Sequence, residues 1–188
     1  GLGLAMSNQI VEAHAGVIWA ENIRPTDVDA TSAPLGARFV VGLPVYAQME
    51  QPDPSVPLTV HASTVACNGR AVLITGASGT GKSALALQLM ALGCELVSDD
   101  RTVITRKGDK LIASAPEAIR GQIEARFVGI LNASPAEPTP LALLVNLDTI
   151  EHQRLPASHT ELLMGLLFPS VHKVEGSHFP AAILQYLK

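Results

Sequence analysis

Cysteine is nearly missing from this chain. Cys67 and Cys94 are its only two, too few for a disulfide framework, and neither sits in a metal-ligand spacing. Reduced thiols and a cytoplasmic setting are the expectation. Basic residues are also sparse, 13 Lys and Arg against 17 Asp and Glu, with no dense run anywhere. That balance gives no support to nucleic-acid binding, so any phosphate site has to be local. No apolar run is long enough to cross a bilayer, and the first residues lack the basic start of a signal peptide. Internal repeats are absent. The composition is that of a soluble globular protein, with length for one ordinary domain and a smaller appendage.

What the chain does contain is concentrated between Ala71 and Leu92, AVLITGASGTGKSALALQLMAL. Gly76, Ala77, Ser78, Gly79, Thr80, Gly81, Lys82 and Ser83 spell G-x-x-x-x-G-K-S, the P-loop. Its glycines let the backbone wrap an anion, so that successive N–H groups and the start of the next helix converge on phosphate oxygens. Lys82 adds a mobile positive charge, and Ser83 offers a hydroxyl to Mg2+. A chance glycine loop opening an ordinary helix is the alternative. The context opposes it: a β-rich run, AVLIT, comes just before, and an apolar stripe of Leu85, Leu89 and Leu92 just after.

Before this stretch the chain divides in two. Gly1 to Pro44 reads as a unit of its own, with a helix that carries Met6, Ile10 and Ala13 on one face and stops at Gly16. VIWAEN and ARFVVGLP follow as two strands, an antiparallel pair with a long loop. From Ala47 to Pro57 the composition shifts to Pro, Asp, Gln and Ser, the mark of a polar linker. The domain expectation is therefore 1–46, a linker at 47–57, and 58–188.

In the second unit LTVHASTVACNG reads as a strand or strand pair turning at Asn68 and Gly69, with His61 inside the run. A histidine there is more often structural than catalytic. CELVSDD is a short strand ending in paired carboxylates, Asp99 and Asp100. Near a triphosphate such a pair can hold Mg2+ or accept a proton from an attacking hydroxyl; as plain turn residues they would only be solvated. TVITR and LIASA form a hairpin around KGDK. In EAIRGQIEARFVGILN, Glu124 and Arg126 sit two apart and would point the same way on a strand, toward partners or toward phosphate and metal. PLALLVNLD is a buried-looking strand, while HTELLMGLLF and FPAAILQYLK look helical or mixed. His152, His159, His172 and His178 are not spaced like a metal site and read as surface residues.

Two family resemblances follow. GLGLAMSNQIVEAHAGVIWAEN with GARFVVGLP resembles the last part of the ATP-binding domain of sensor histidine kinases, placing a two-component, phosphorelay-type fragment at 1–46. The upstream asparagine-bearing helix, aspartate-glycine box and phosphoacceptor histidine of that family have no counterpart, so the fragment should not bind ATP alone, and His14 reads as a surface or helix-end residue. VHAS, GASGTGKSALAL, LVSDD and IEARFVGIL, in this order, resemble the kinase domain of HPr kinase/phosphorylase over residues 58–188. That resemblance implies an α/β fold, a P-loop core with mixed β-sheets like phosphoenolpyruvate carboxykinase, preceded here by a small α+β fragment. It implies an ATP- and Mg2+-dependent protein serine kinase acting on the phosphocarrier HPr, with a reverse phosphorylase activity in the family and a homo-hexameric assembly. Residue by residue it puts His61 beside Asp99 as the base, gives Arg126 a catalytic place in the glutamate-x-arginine signature, and has Ser83, Asp100 and Glu124 order the metal.

The chain also departs from the family pattern. Phe127 stands where glycine usually follows the signature arginine, and a bulky residue is badly placed if that backbone needs positive φ. Ala77 and Ala84 replace acidic residues. Two rival readings accompany the kinase: a nucleotide-binding, non-productive hybrid of a histidine-kinase tail and a kinase-like domain, and a small-molecule kinase on the same scaffold.

Overall fold

The computed structural model describes Val11 and residues 17–23, 36–42 and 56–188. The expected first helix, the glycine box, His14 and most of the 47–57 linker lie outside the described residues. By its contacts the chain forms two compact units, Gly1–Glu50 and Gln51–Lys188. In the first, β1 (Val17–Ile23) and β2 (Gly36–Gly42) pair antiparallel from Val17↔Gly42 to Ile23↔Gly36, as the sequence suggests. Glu21 faces Arg38 across this ribbon at 2.7 Å and also accepts the Trp19 indole N–H.

The second unit is built on one nine-stranded sheet. β4 (Ser63–Cys67) and β5 (Arg70–Thr75) turn at Asn68 and Gly69, both with positive φ, as a two-residue hairpin requires. β5 runs parallel to β11 (Thr139–Ile150) from Ala71↔Leu141 to Thr75↔Asn146. On the far side of β4 lies β6 (Glu95–Ser98). The start of β11 meets β8 (Lys110–Ser114), which pairs with β7 (Thr102–Lys107), and β7 with β3 (Leu58–Val60). The end of β11 meets β13 (Leu166–Lys173), paired in turn with β12 (His159–Leu163).

The central strands are buried on both faces, which is why AVLIT and LALLV are almost unbroken apolar runs. Val72, Ile74, Val145 and Leu143 face helix α1 (Lys82–Ala91) and helix α2 (Phe179–Tyr186), packing on Leu85, Leu89, Phe179 and Ile183. Leu73 and Leu144 face the other way, onto Val97, Ile104, Leu111 and Ala113. Leu89 is fully buried, so truncating it to alanine would cost about 2–5 kcal/mol. α1 ends where Gly93 takes φ 100 and its N–H bonds back to Met90.

Four expectations change. His61 does not lie inside a strand: β3 stops at Val60, β4 starts at Ser63, and His61 occupies the break with half its side chain exposed. HTELLMGLLF is the β12–β13 hairpin, turning at Met164 and Gly165 with φ 47 and 78. His159 and His172, on these two strands, are half-buried rather than at the surface; His152 and His178 are exposed. Cys67 and Cys94 are joined by a disulfide inside the core below α1, not reduced, because β4 and the turn before β6 bring their Cα atoms within 4.6 Å.

Candidate functional site

The loop that carries the G-x-x-x-x-G-K-S pattern is shaped by three glycines with positive φ, at positions 76, 79 and 81. At Gly76 the requirement is also spatial: a Cβ would come within 2.7 Å of Thr80 Oγ1 and 3.2 Å of Leu147 Cβ. Gly81, left-handed with φ 104, starts α1 without a side-chain cap, so the first-turn N–H groups of the helix are free for an anion. Ala77, Ser78 and Gly79 are exposed at the tip. Asp148, just beyond the buried part of β11, accepts the Ala77 N–H at 2.8 Å and so ties the loop to the neighbouring strand.

Lys82 is buried and folded back, donating to the carbonyls of Gly76 at 2.8 Å and Ala77 at 3.0 Å. Its Nζ also stands 3.1 Å from His61 Nε2. The other His61 nitrogen, Nδ1, is 3.0 Å from Asp100 Oδ1 and 2.9 Å from the Asp100 carbonyl. A chain of polar contacts therefore runs Lys82–His61–Asp100 along one edge of the site. Asp100 is exposed and holds φ 64, a conformation that aspartate tolerates better than most residues.

Asp99 belongs to the other edge. It is 5% exposed, and its Oδ1 accepts Ser63 Oγ at 2.6 Å and Ser83 Oγ at 2.9 Å, while Oδ2 accepts the Glu124 N–H at 3.0 Å. His61 thus partners Asp100, whereas Asp99 partners the loop serine. A serine hydroxyl and a carboxylate side by side form an oxygen-only donor set, which suits Mg2+. Together with the glycine cradle, the residues present fit a nucleotide's phosphates and their metal ion.

Glu124 is, with Gln122, an outward residue of β9 (Gln122–Ala125), which pairs with β10 (Gly129–Asn132) as a separate ribbon. Arg126 is not on that strand. It falls in the turn Ala125–Val128, closed by the Val128 N–H to the Ala125 carbonyl at 2.9 Å, and is exposed like Glu124. Phe127, third in this turn, has φ 65 and is completely exposed. A cleft of about 1060 Å³ runs from here to the carboxylates, lined by Asp99, Asp100, Glu124, Phe127, Val128 and Ile130 among others. The P-loop residues are not part of its wall, so phosphate loop and cleft meet at Asp99 and Asp100.

Sequence reasoning overlooked Asp148 and Ser63. A carboxylate closing the buried run of PLALLVNLD was the available signal for Asp148, since in a parallel sheet the ends of adjacent strands share an edge. Ser63 carried none.

The model of the HPr Serine kinase C-terminal domain family matches residues 55–155, more than half of the chain. Among curated relatives, the HPr kinase/phosphorylase of Limosilactobacillus reuteri is 33% identical over 126 residues, 60% of this chain and 39% of its own length. That of Caldanaerobacter subterraneus subsp. tengcongensis is 49% identical over 76 residues, 40% of this chain and 25% of its own. The chain therefore spans two-fifths or less of the length of these relatives. Among solved structures, the HPr(Ser) kinase/phosphatase from Coxiella burnetii superposes with a TM-score of 0.59 at 24% identity, covering 69% of this chain and 93% of that one. At that identity the likeness supports the mixed α/β fold.

Proposed function

The chain belongs to the HPr Serine kinase C-terminal domain family, and from that premise we propose that its second unit transfers the terminal phosphoryl group of ATP to a serine hydroxyl of an HPr-type phosphocarrier protein. The observation that carries the proposal is the place of Asp99, bonded to Ser83 at the phosphate loop and at the same time part of the cleft wall. One carboxylate thereby touches both the donor side and the acceptor side.

Each part of the chain has a task in this scheme. The backbone of residues 76–83 cradles the phosphates, with Gly76 allowing the close approach. Lys82 exchanges its two loop carbonyls for phosphate oxygens, and His61 and Asp100 steady it at the mouth. Ser83 and Asp99 would hold Mg2+, and Asp100 and Glu124, which line the same cleft, would help to order it; the ion would supply neutralisation of charge on the phosphates. The acceptor serine lies in the cleft, its hydroxyl proton passes to Asp99, its oxygen bonds to phosphorus, and the bond to the departing ADP oxygen breaks. Positioning and electrostatics do most of the work, since phosphoryl transfer asks little covalent chemistry of the protein. Arg126 and the exposed Phe127 stand at the far lip, where they meet the partner protein.

The cytoplasm, where phosphocarrier and ATP coexist, and a hexameric assembly belong to the same proposal. Residues 1–46 are given no role in it; the family match starts at residue 55. The test is transfer of labelled phosphate from ATP to HPr with Mg2+, the serine identified by mass spectrometry. Asp99→Ala is expected to abolish transfer while nucleotide still binds. A wild-type chain that leaves HPr unlabelled, or an Asp99→Ala chain as active as wild type, would refute the proposal; label appearing on a metabolite instead would point to a small-molecule kinase.

A further inference from the structure

Away from the phosphate loop, three potential metal ligands from three different segments meet. Glu151 directly follows β11, His159 opens β12, and His172 lies near the end of β13. The register explains the two histidines. His159 pairs with Ser170 across β12–β13, so His159, Ser170 and, two residues on, His172 fall on one face of the sheet. The Glu151 N–H bonds to the Lys173 carbonyl at 2.8 Å, which brings its carboxylate over the same face.

The resulting distances are short. Glu151 Oε2 is 3.0 Å from His159 Nε2 and 3.8 Å from His172 Nδ1, and one donor atom from each of the three residues lies within 4.8 Å of the other two. All three side chains are more than half buried. The second carboxylate oxygen, Oε1, accepts the Gln153 N–H at 2.8 Å, fixing the orientation of the group. Beside the cluster is a cavity of about 220 Å³ whose walls include Ser158, Phe179 and Tyr186.

We propose that Glu151, His159 and His172 bind one Zn2+ ion, its fourth position open to water or a small anion in the adjoining cavity. Two imidazoles and one carboxylate are a recurring zinc set, whereas Mg2+ and Ca2+ select oxygen ligands alone. For a tetrahedral ion with bonds of about 2.1 Å the ligand atoms stand about 3.4 Å apart, between the two carboxylate-to-imidazole distances. The imidazoles are stacked, centroids 4.0 Å apart and planes inclined by 23°. The Cβ–Cγ torsion of histidine is broad, which gives each ring latitude to turn its nitrogen toward a shared ion. Bound there, the ion would pin the end of β11 to the β12–β13 hairpin, remote in sequence from the nucleotide residues.

The test uses the full chain, stripped with a chelator and titrated with Zn2+ by calorimetry. One ion per chain is expected, with Glu151→Gln and His172→Ala each weakening binding at least tenfold and Lys82→Ala leaving it unchanged. Because a substituted chain could misfold, wild-type protein is also followed by NMR, where Zn2+ should shift the ring signals of His159 and His172 and leave those of His152 and His178 in place. No binding by wild type, equal binding by both substituted chains, or shifts confined to His152 and His178 would overturn the proposal.

Discussion

Replacing Phe127 by glycine should stabilise the protein, and the gain can be worked out from its turn. Phe127 is the third residue of the turn Ala125–Val128 and holds φ 65, where glycine or asparagine is usual. For an L-residue that conformation costs about 1–2 kcal/mol. The ring returns nothing through burial, because Phe127 is 101% exposed. Against the relief stands the extra freedom that glycine gives the unfolded chain, about 0.5–1 kcal/mol. The net expectation for Phe127→Gly is a gain of about 0–1.5 kcal/mol, centred on ~0.75, which at that centre is a rise in Tm of about 2–4 °C for a unit of this size. Phe127→Ala keeps the strained backbone and loses no packing, so it should stay within about 0.5 kcal/mol of wild type. Urea titration gives the free energies, and a thermal scan the midpoints. A lower midpoint for Phe127→Gly, or an equal gain for Phe127→Ala, would refute the reasoning that backbone strain, and nothing else, sets the energy at this position.

Two further substitutions address the phosphate loop. Gly76→Ala places a Cβ 2.7 Å from Thr80 Oγ1 and 3.2 Å from Leu147 Cβ; the loop has to open, and affinity for an ATP analogue should fall at least tenfold by fluorescence titration. Asp148→Ala removes the acceptor of the Ala77 N–H, a loss of about 1 kcal/mol, and should weaken nucleotide binding, whereas Asp148→Asn keeps a carbonyl oxygen in place and should restore most of it.

Where the sequence was legible, local physics was sufficient. GASGTGKS announces a glycine turn leading into a helix because positive φ at its glycines and the helix start are local requirements, and Asn68–Gly69 announces its hairpin for the same reason. Met164–Gly165 adopts the same kind of turn, but methionine seldom accepts φ 47, so nothing in HTELLMGLLF signalled a hairpin. The likeness of 58–188 to a known kinase domain gave the mixed α/β fold, yet it placed His61 beside Asp99, while the break after β3 sets it against Asp100. Glu124 and Arg126 read as two residues of one strand because spacing alone does not tell where a strand stops, and β9 ends at Ala125. The meeting of Glu151, His159 and His172 depends on the register of β12 and β13 and on a backbone bond from beyond β11. Such long-range pairing leaves no mark in the spacing of the histidines, and the Cys67–Cys94 bond is equally non-local.

The parallel pairing of β5 with β11 also has a consequence for how the protein is made. About seventy residues separate Ala77 from the carboxylate that holds it, at Asp148, and both hairpin ribbons, β7–β8 and β9–β10, are synthesised in between. Closing so long a loop is entropically slow. A nascent chain that has left the ribosome only as far as β8 carries the glycine sequence without the strand that anchors it, and competence to hold phosphate would arrive only with β11, late in translation.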